Sequence, residues 1–136
     1  MSIKIQGRVI IDGEAEGELL LLSQPISFWG GVDPATGIIC QPAHPQYKQS
    51  IAGKILALPG TIGSSSSSAV MLELLYGKNS PSGLLLQTPD AILSLGVIVS
   101  QEMNYGDLPI IECDLSPLSN GMKLSIKANG YLEGNR

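Results

Sequence analysis

The chain has 136 residues, of which 43% are hydrophobic and 15% charged, and its net charge is −4. This length suits one compact domain over residues 1–136. The composition excludes a disordered chain, and the acidic balance excludes the basic footprint that nucleic-acid binding needs. Aromatic residues make up 4%, so the core rests on Leu, Ile, Val and Ala.

Ile3, Ile5 and Val9 alternate with Lys4, Gln6 and Arg8, which predicts an opening strand over 3–10. Gly13 and Gly17 bracket Glu14 and Glu16 as an acidic turn. The leucine run within 18–23 predicts a buried strand, interrupted by Pro25. Residues 27–40 carry Gly30, Gly31, Asp33, Pro34 and Gly37, a density of breakers that calls for a structured loop with a short strand at 38–41. A second loop at 43–49 holds His44-Pro45, and 51–58 reads as a strand ending at Pro59-Gly60. After Thr61-Ile62-Gly63 come five serines, Ser64 to Ser68, and then an apolar helix over 69–76 stopped by Gly77. A buried strand at 82–87 leads to a second helix that Pro89-Asp90 opens and that runs to Leu95 or slightly beyond. Strands at 108–113 and 123–128 follow, and 131–136 reads as a tail. The sum is a mixed α/β domain, a β-rich body carrying two or three helices, with no internal repeat and no linker.

The most apolar stretch, Leu84 to Val99, is broken by Gln87, Thr88, Pro89, Asp90, Ser94 and Gly96, so it does not read as a membrane span. Met1-Ser2-Ile3-Lys4 lacks the apolar core of a signal peptide, and a cytoplasmic address is expected. Cys40 and Cys113 are then expected to be free, buried thiols. Without a histidine pair nearby, two cysteines cannot complete a zinc or iron–sulfur site.

Two stretches can carry chemistry. The first runs from Leu58 through Gly60, Gly63 and the serines into the helix. A glycine-bearing turn entering a helix N-terminus points backbone N–H groups at one place, which suits an anion or a developing alkoxide. A serine there feels the positive end of the helix dipole. The same spacing also suits ordinary capping, in which one serine accepts from the helix N–H groups and does nothing else. No lysine follows the glycines as in a phosphate-binding loop, and no serine has the flanking glycines of a nucleophile elbow. The single histidine, His44, is not required by the sequence to approach the serines. The second stretch, Ser27 to Ile38, sets the only Trp and the only Phe beside Gly30-Gly31 and Asp33-Pro34. Trp29 reads as a core plug or, alternatively, as a wall of a shared active site or a subunit contact.

Together, the loop Phe28-Trp29-Gly30-Gly31-Val32-Asp33-Pro34-Ala35-Thr36-Gly37, the downstream His44-Pro45, and the helix entry Pro59-Gly60-Thr61-Ile62-Gly63-Ser64-Ser65-Ser66 resemble the small subunit of the aconitase X family. The resemblance runs from about Ile3 to Lys127. It implies a swivelling β/β/α domain, similar to the mobile domain of aconitase. It also implies a hydro-lyase active as a heterodimer, with a large subunit holding an iron–sulfur cluster or iron, and no cofactor bound by this chain. By position the proton-accepting serine is Ser64, with Ser65 as second candidate. Gly63, Ser66, Gly30, Gly31 and Asp33 are the implied substrate-binding residues. Family members commonly carry arginine where this chain has Ile62. That departure favours cis-3-hydroxy-L-proline or a similar hydroxy acid as substrate, with phosphomevalonate the alternative. A non-catalytic anion-binding or structural module is the reading of another class, and an orphan docking face would drive homo-oligomers in isolation.

Overall fold

In the computed structural model, which describes residues 2–63 and 65–135, Gly7 splits the opening apolar stretch into β1 (Ser2–Gln6) and β2 (Arg8–Ile11). A Cβ at Gly7 would lie 2.3 Å from Ile111 Cγ2 and 3.0 Å from the Glu112 carbonyl. Only a residue without a side chain lets the backbone pass that close. The single strand expected over 3–10 is therefore two strands, and they belong to different layers.

β3 (Ala15–Leu21) serves both layers. Its first half runs antiparallel to β9 (Lys123–Lys127), and Leu19–Leu21 runs parallel to β6 (Ile55–Leu58). The acidic turn expected at 13–17 is thus strand from Ala15 onward, because Glu16 and Glu18 face solvent on the ladder, Glu18 opposite Lys123. With β7 (Gly83–Leu86), β8 (Ile110–Glu112) and β10 (Tyr131–Asn135), the order among the described residues is β1-β10-β9-β3-β6-β7-β8-β2. The first and last strands of this order are one chain segment joined at Gly7, so the sheet folds over on itself. The stretch 131–136, expected to be a tail, supplies β10 instead. It lies between β1 and β9 and buries Leu132 completely.

Side chains on the central strands alternate between two cores, as period two requires. Ile55, Ala57, Leu85 and Ile111 face Leu124, Ile126 and Leu132 of the other β layer. Leu56, Leu58, Leu84 and Leu86 face Met71, Leu74, Leu93 and Val97 of the helices. The layers are therefore sheet, sheet and helices, the β/β/α arrangement. The β layers meet closely at Gly83, where a Cβ would stand 2.6 Å from Ile126 Cδ1.

On the helical face, α1 (Phe28–Gly31) is a single distorted turn that leads into the ribbon of β4 (Val32–Asp33) and β5 (Ile38–Ile39). The longer α2 (Ser67–Tyr76) starts two residues earlier than its apolar stretch suggested and buries Val70, Met71, Leu74 and Leu75. It stops at the expected Gly77, its C-cap; the left-handed residue is the following Lys78 (φ 60°), and the N–H of Asn79 reaches back to Leu74 O at 2.9 Å. α3 (Ala91–Glu102) extends well past Leu95, near which the helix was expected to end, and runs straight through Gly96. That glycine serves packing: its Cβ would meet Ser68 O at 2.5 Å, so α2 and α3 touch backbone to backbone there. The outer side of α3 leaves Ile92, Leu95, Ile98, Val99 and Met103 exposed. No helix among the described residues is long and apolar enough to cross a membrane.

Candidate functional site

The two chemistry-bearing stretches lie side by side. Ile26 and Thr61 form a parallel bridge, and the N–H of Ile62 donates to Ile26 O at 3.1 Å. From this junction one stretch enters α1 and the other leads toward the serines. Phe28 turns inward and is fully buried, while Trp29 is 60% exposed. The core-plug reading of Trp29 is thus wrong: in a two-residue alternation the buried place is taken by Phe28.

Gly30 adopts φ 83° with no atom within 4 Å of a Cβ position, so it is glycine for its backbone angle. Gly31 is glycine for space, since a Cβ would stand 2.8 Å from Ile26 Cγ1. Asp33 Oδ1 accepts from Ala35 N at 3.0 Å, and its carbonyl accepts from Gly37 N at 2.7 Å. One carboxylate oxygen therefore shapes the ribbon's turn.

Trp29, Gly30, Val32, Asp33, Ser66 and Glu73 line a cleft of about 610 Å³, with Cys40 also on its wall. On α2, Ser66, Val70 and Glu73 follow at helical spacing, which is why the cleft runs along that helix. Gly30, Asp33 and Ser66 of the expected set thus come together. Gly31 is buried, and Gly63 and Ser65 are exposed but do not line the cleft. Ser64 lies outside the described residues. Ser66 occupies the N-cap position of α2 without a side-chain cap bond, and no acidic residue stands in the first turn. Ser67 Oγ is buried with no hydrogen-bond partner among the described residues.

His44 is buried, and both ring nitrogens are engaged. Nδ1 accepts from Gln46 N at 3.0 Å, which assigns the proton to Nε2, 3.2 Å from Gln24 O. A histidine held this way orders its loop and is not poised as a base. Cys40 is exposed, contrary to the expectation of two buried thiols, because the β5 end that carries it opens onto the cleft. Cys113 is buried. No three His, Cys, Asp or Glu side chains converge on a metal-binding position among the described residues. Among the described residues, therefore, no set of side chains fits an iron centre.

Sequence reasoning missed Glu73, Thr61 and the second task of Asp90. Thr61 Oγ1 donates to Asp90 Oδ2, while Asp90 Oδ1 caps α3 by accepting from Ile92 N at 2.9 Å and Leu93 N at 3.2 Å. Pro89-Asp90 signalled the cap, but nothing in sequence signals a bond across such a separation.

Residues 4–134 match the family model of the aconitase X swivel domain. The chain belongs to this family. The aconitase X crystal structure from Thermococcus kodakaraensis, in its holo-form, superposes with a TM-score of 0.89 at 36% identity, covering 98% of this chain and 99% of that one. Phosphomevalonate dehydratase small subunit of Thermococcus kodakarensis is 38% identical over 128 residues, 93% of this chain and 92% of that protein. Cis-3-hydroxy-L-proline dehydratase of Pseudomonas aeruginosa is 44% identical over 103 residues, 76% of this chain. The matched stretch is 18% of that longer protein. The aconitase X swivel domain thus occurs both as a separate small subunit and as a minor part of a longer chain.

Proposed function

We propose that this chain is the small subunit of a hydro-lyase that removes water from cis-3-hydroxy-L-proline or a similar small hydroxy acid, in a site completed by a large aconitase X subunit. The observation that carries this reading is the cleft itself, where the glycine-rich loop and the serine-bearing start of α2 share one wall. The relatives named as dehydratases support it.

Dehydration of such an acid removes a proton from the carbon next to the carboxylate and a hydroxyl from the following carbon. The C–H electron pair becomes the new double bond, and the C–O pair departs with oxygen. Ser64 is the proposed proton acceptor, with Ser65 second by position. The start of α2 carries no acidic side chain that would oppose an alkoxide. The large subunit, proposed to hold the iron or iron–sulfur centre, would supply the Lewis acid for the departing hydroxyl. Closure of the two subunits would exclude water and deliver the serine. The exposed apolar residues of α3 suit a chain that works against a partner.

Charge favours the hydroxyproline over phosphomevalonate. The cleft walls carry two carboxylates, Asp33 and Glu73, and no Lys, Arg or His. Ile62, where family members commonly carry arginine, is 53% exposed and adds no charge. A substrate with both a phosphate and a carboxylate would meet two like charges. A ring nitrogen bearing a proton would instead offset them.

The test is co-purification with a large subunit, followed by turnover assays on both substrates with wild type and Ser64→Ala. The expected result is hydroxyproline dehydration that Ser64→Ala abolishes while assembly persists. Near-normal turnover by Ser64→Ala would remove the base assignment. A chain that purifies without a partner under gentle anaerobic conditions would favour the non-catalytic module.

A further inference from the structure

We propose that Asp90 is a positioning residue for the serine run, acting through Thr61; the inference rests on the hydro-lyase reading above. An aspartate that only capped a helix would need one carboxylate oxygen. Asp90 uses Oδ1 for that purpose, on the N–H groups of Ile92 and Leu93. Its other oxygen, Oδ2, takes the hydroxyl of Thr61. Thr61 stands in the loop that leads from β6 into the serines, and it also bridges to Ile26, just before α1. Thr88 N donates to Pro59 O at 3.0 Å and closes the same junction from the α3 side.

A second anchor lies downstream on the same helix. Gly96 presses its bare backbone against Ser68, where a Cβ would stand 2.5 Å from the carbonyl oxygen and 3.0 Å from Cα. Thr61 and Ser68 are therefore each tied to the α3 segment, Thr61 by a hydrogen bond to the N-cap Asp90 and Ser68 by backbone contact with Gly96. Neither Thr61 nor Asp90 lines the cleft. Their effect on a proton transfer at the serines would come through geometry alone. A displacement of about 1 Å in a reacting group can cost on the order of a hundredfold in rate.

The decisive variant is Thr61→Val, which deletes the hydroxyl, keeps the branched shape and leaves the Asp90 cap intact. In the complex with the large subunit, kcat per assembled complex is expected to fall about tenfold or more with KM within about twofold. Asp90→Ala is expected to fall at least as far. Asp90→Asn should recover most of that loss, because its amide can cap α3 and still meet Thr61. A merely structural role would lower melting temperature without this split between kcat and KM. On the full chain alone, amide exchange at Ile62, Gly63 and Ser65 should quicken in Thr61→Val while α3 stays protected.

Unchanged exchange at those residues, or wild-type kcat in Thr61→Val where Ser64→Ala is dead, overturns the inference. Failure of the parent reading looks different: Ser64→Ala remains active, or the wild-type complex turns nothing over while exchange still quickens in Thr61→Val.

Discussion

Replacing Gly96 by alanine sets two physical effects of opposite sign against each other. In the middle of α3, alanine is the better helix former by about 1 kcal/mol, so propensity alone predicts a more stable protein. Packing predicts the reverse. The added Cβ would stand 2.5 Å from Ser68 O, 3.0 Å from its Cα and 3.1 Å from its carbonyl carbon. All three are backbone atoms, so no rotamer change relieves the contact and the helices must separate. Overpacking of this kind costs about 1–3 kcal/mol, and a backbone clash belongs at the upper end. The net is a loss of about 2 kcal/mol once propensity is subtracted. At about 2.1 cal/mol/K per residue, unfolding entropy for this length gives a fall in Tm of about 7 °C. Calorimetric melts of the isolated chain would measure it, with Leu95→Ala as the control. Leu95 is the preceding residue on the exposed side of α3, and its truncation should stay within about 0.5 kcal/mol. A Gly96→Ala melting temperature equal to or above wild type would refute the backbone-contact account of how α3 holds the start of α2.

The two thiols should behave oppositely. A neutral-pH thiol reagent should titrate Cys40 in the folded chain and reach Cys113 only after unfolding. Burial, reinforced by Asp114 and Glu112, raises Cys113 from the ordinary 9.0 to about 11. The unfolded chain therefore releases its proton first, and stability should fall as pH rises from about 9 to about 11. Cys113→Ala should flatten that decline relative to wild type in denaturant titrations at pH 8, 9 and 10; an unchanged slope would refute it. Deleting residues 131–136 should abolish folding, read by circular dichroism, because β10 holds β1 and β9 together. A truncated chain that melted cooperatively near the wild-type temperature would show that β10 is dispensable.

Much of the fold was legible because it rests on local pattern. Alternation marked β9, the leucine runs marked the buried strands, and Pro89-Asp90 marked the start of α3. The errors came where pairing partners override local signals. The run 131–135 contains a glycine and one buried leucine, too little to announce a strand, yet β1 and β9 supply its ladder bonds from both sides. Gly96 read only as a break in an apolar stretch, because its reason for being glycine, the backbone of Ser68, lies on another helix. The polarity of the site was half legible. Gly30, Asp33 and Ser66 were implied by the family resemblance, but Glu73 looked like any polar position on an apolar helix until α2 was laid beside the Trp29 loop.

The sequence by itself determined the class of the domain, most of its elements, its family and the two stretches that line the cleft. Those depend on side-chain period, breakers and motif spacing, which are properties of neighbours in the chain. Only the tertiary structure decided that Trp29 is outward, that His44 has both nitrogens engaged, and that Asp90 reaches Thr61 while Gly96 meets Ser68. Each of these is a contact between residues distant in sequence or a choice of inward face, set when the two β layers and the helices close on one another.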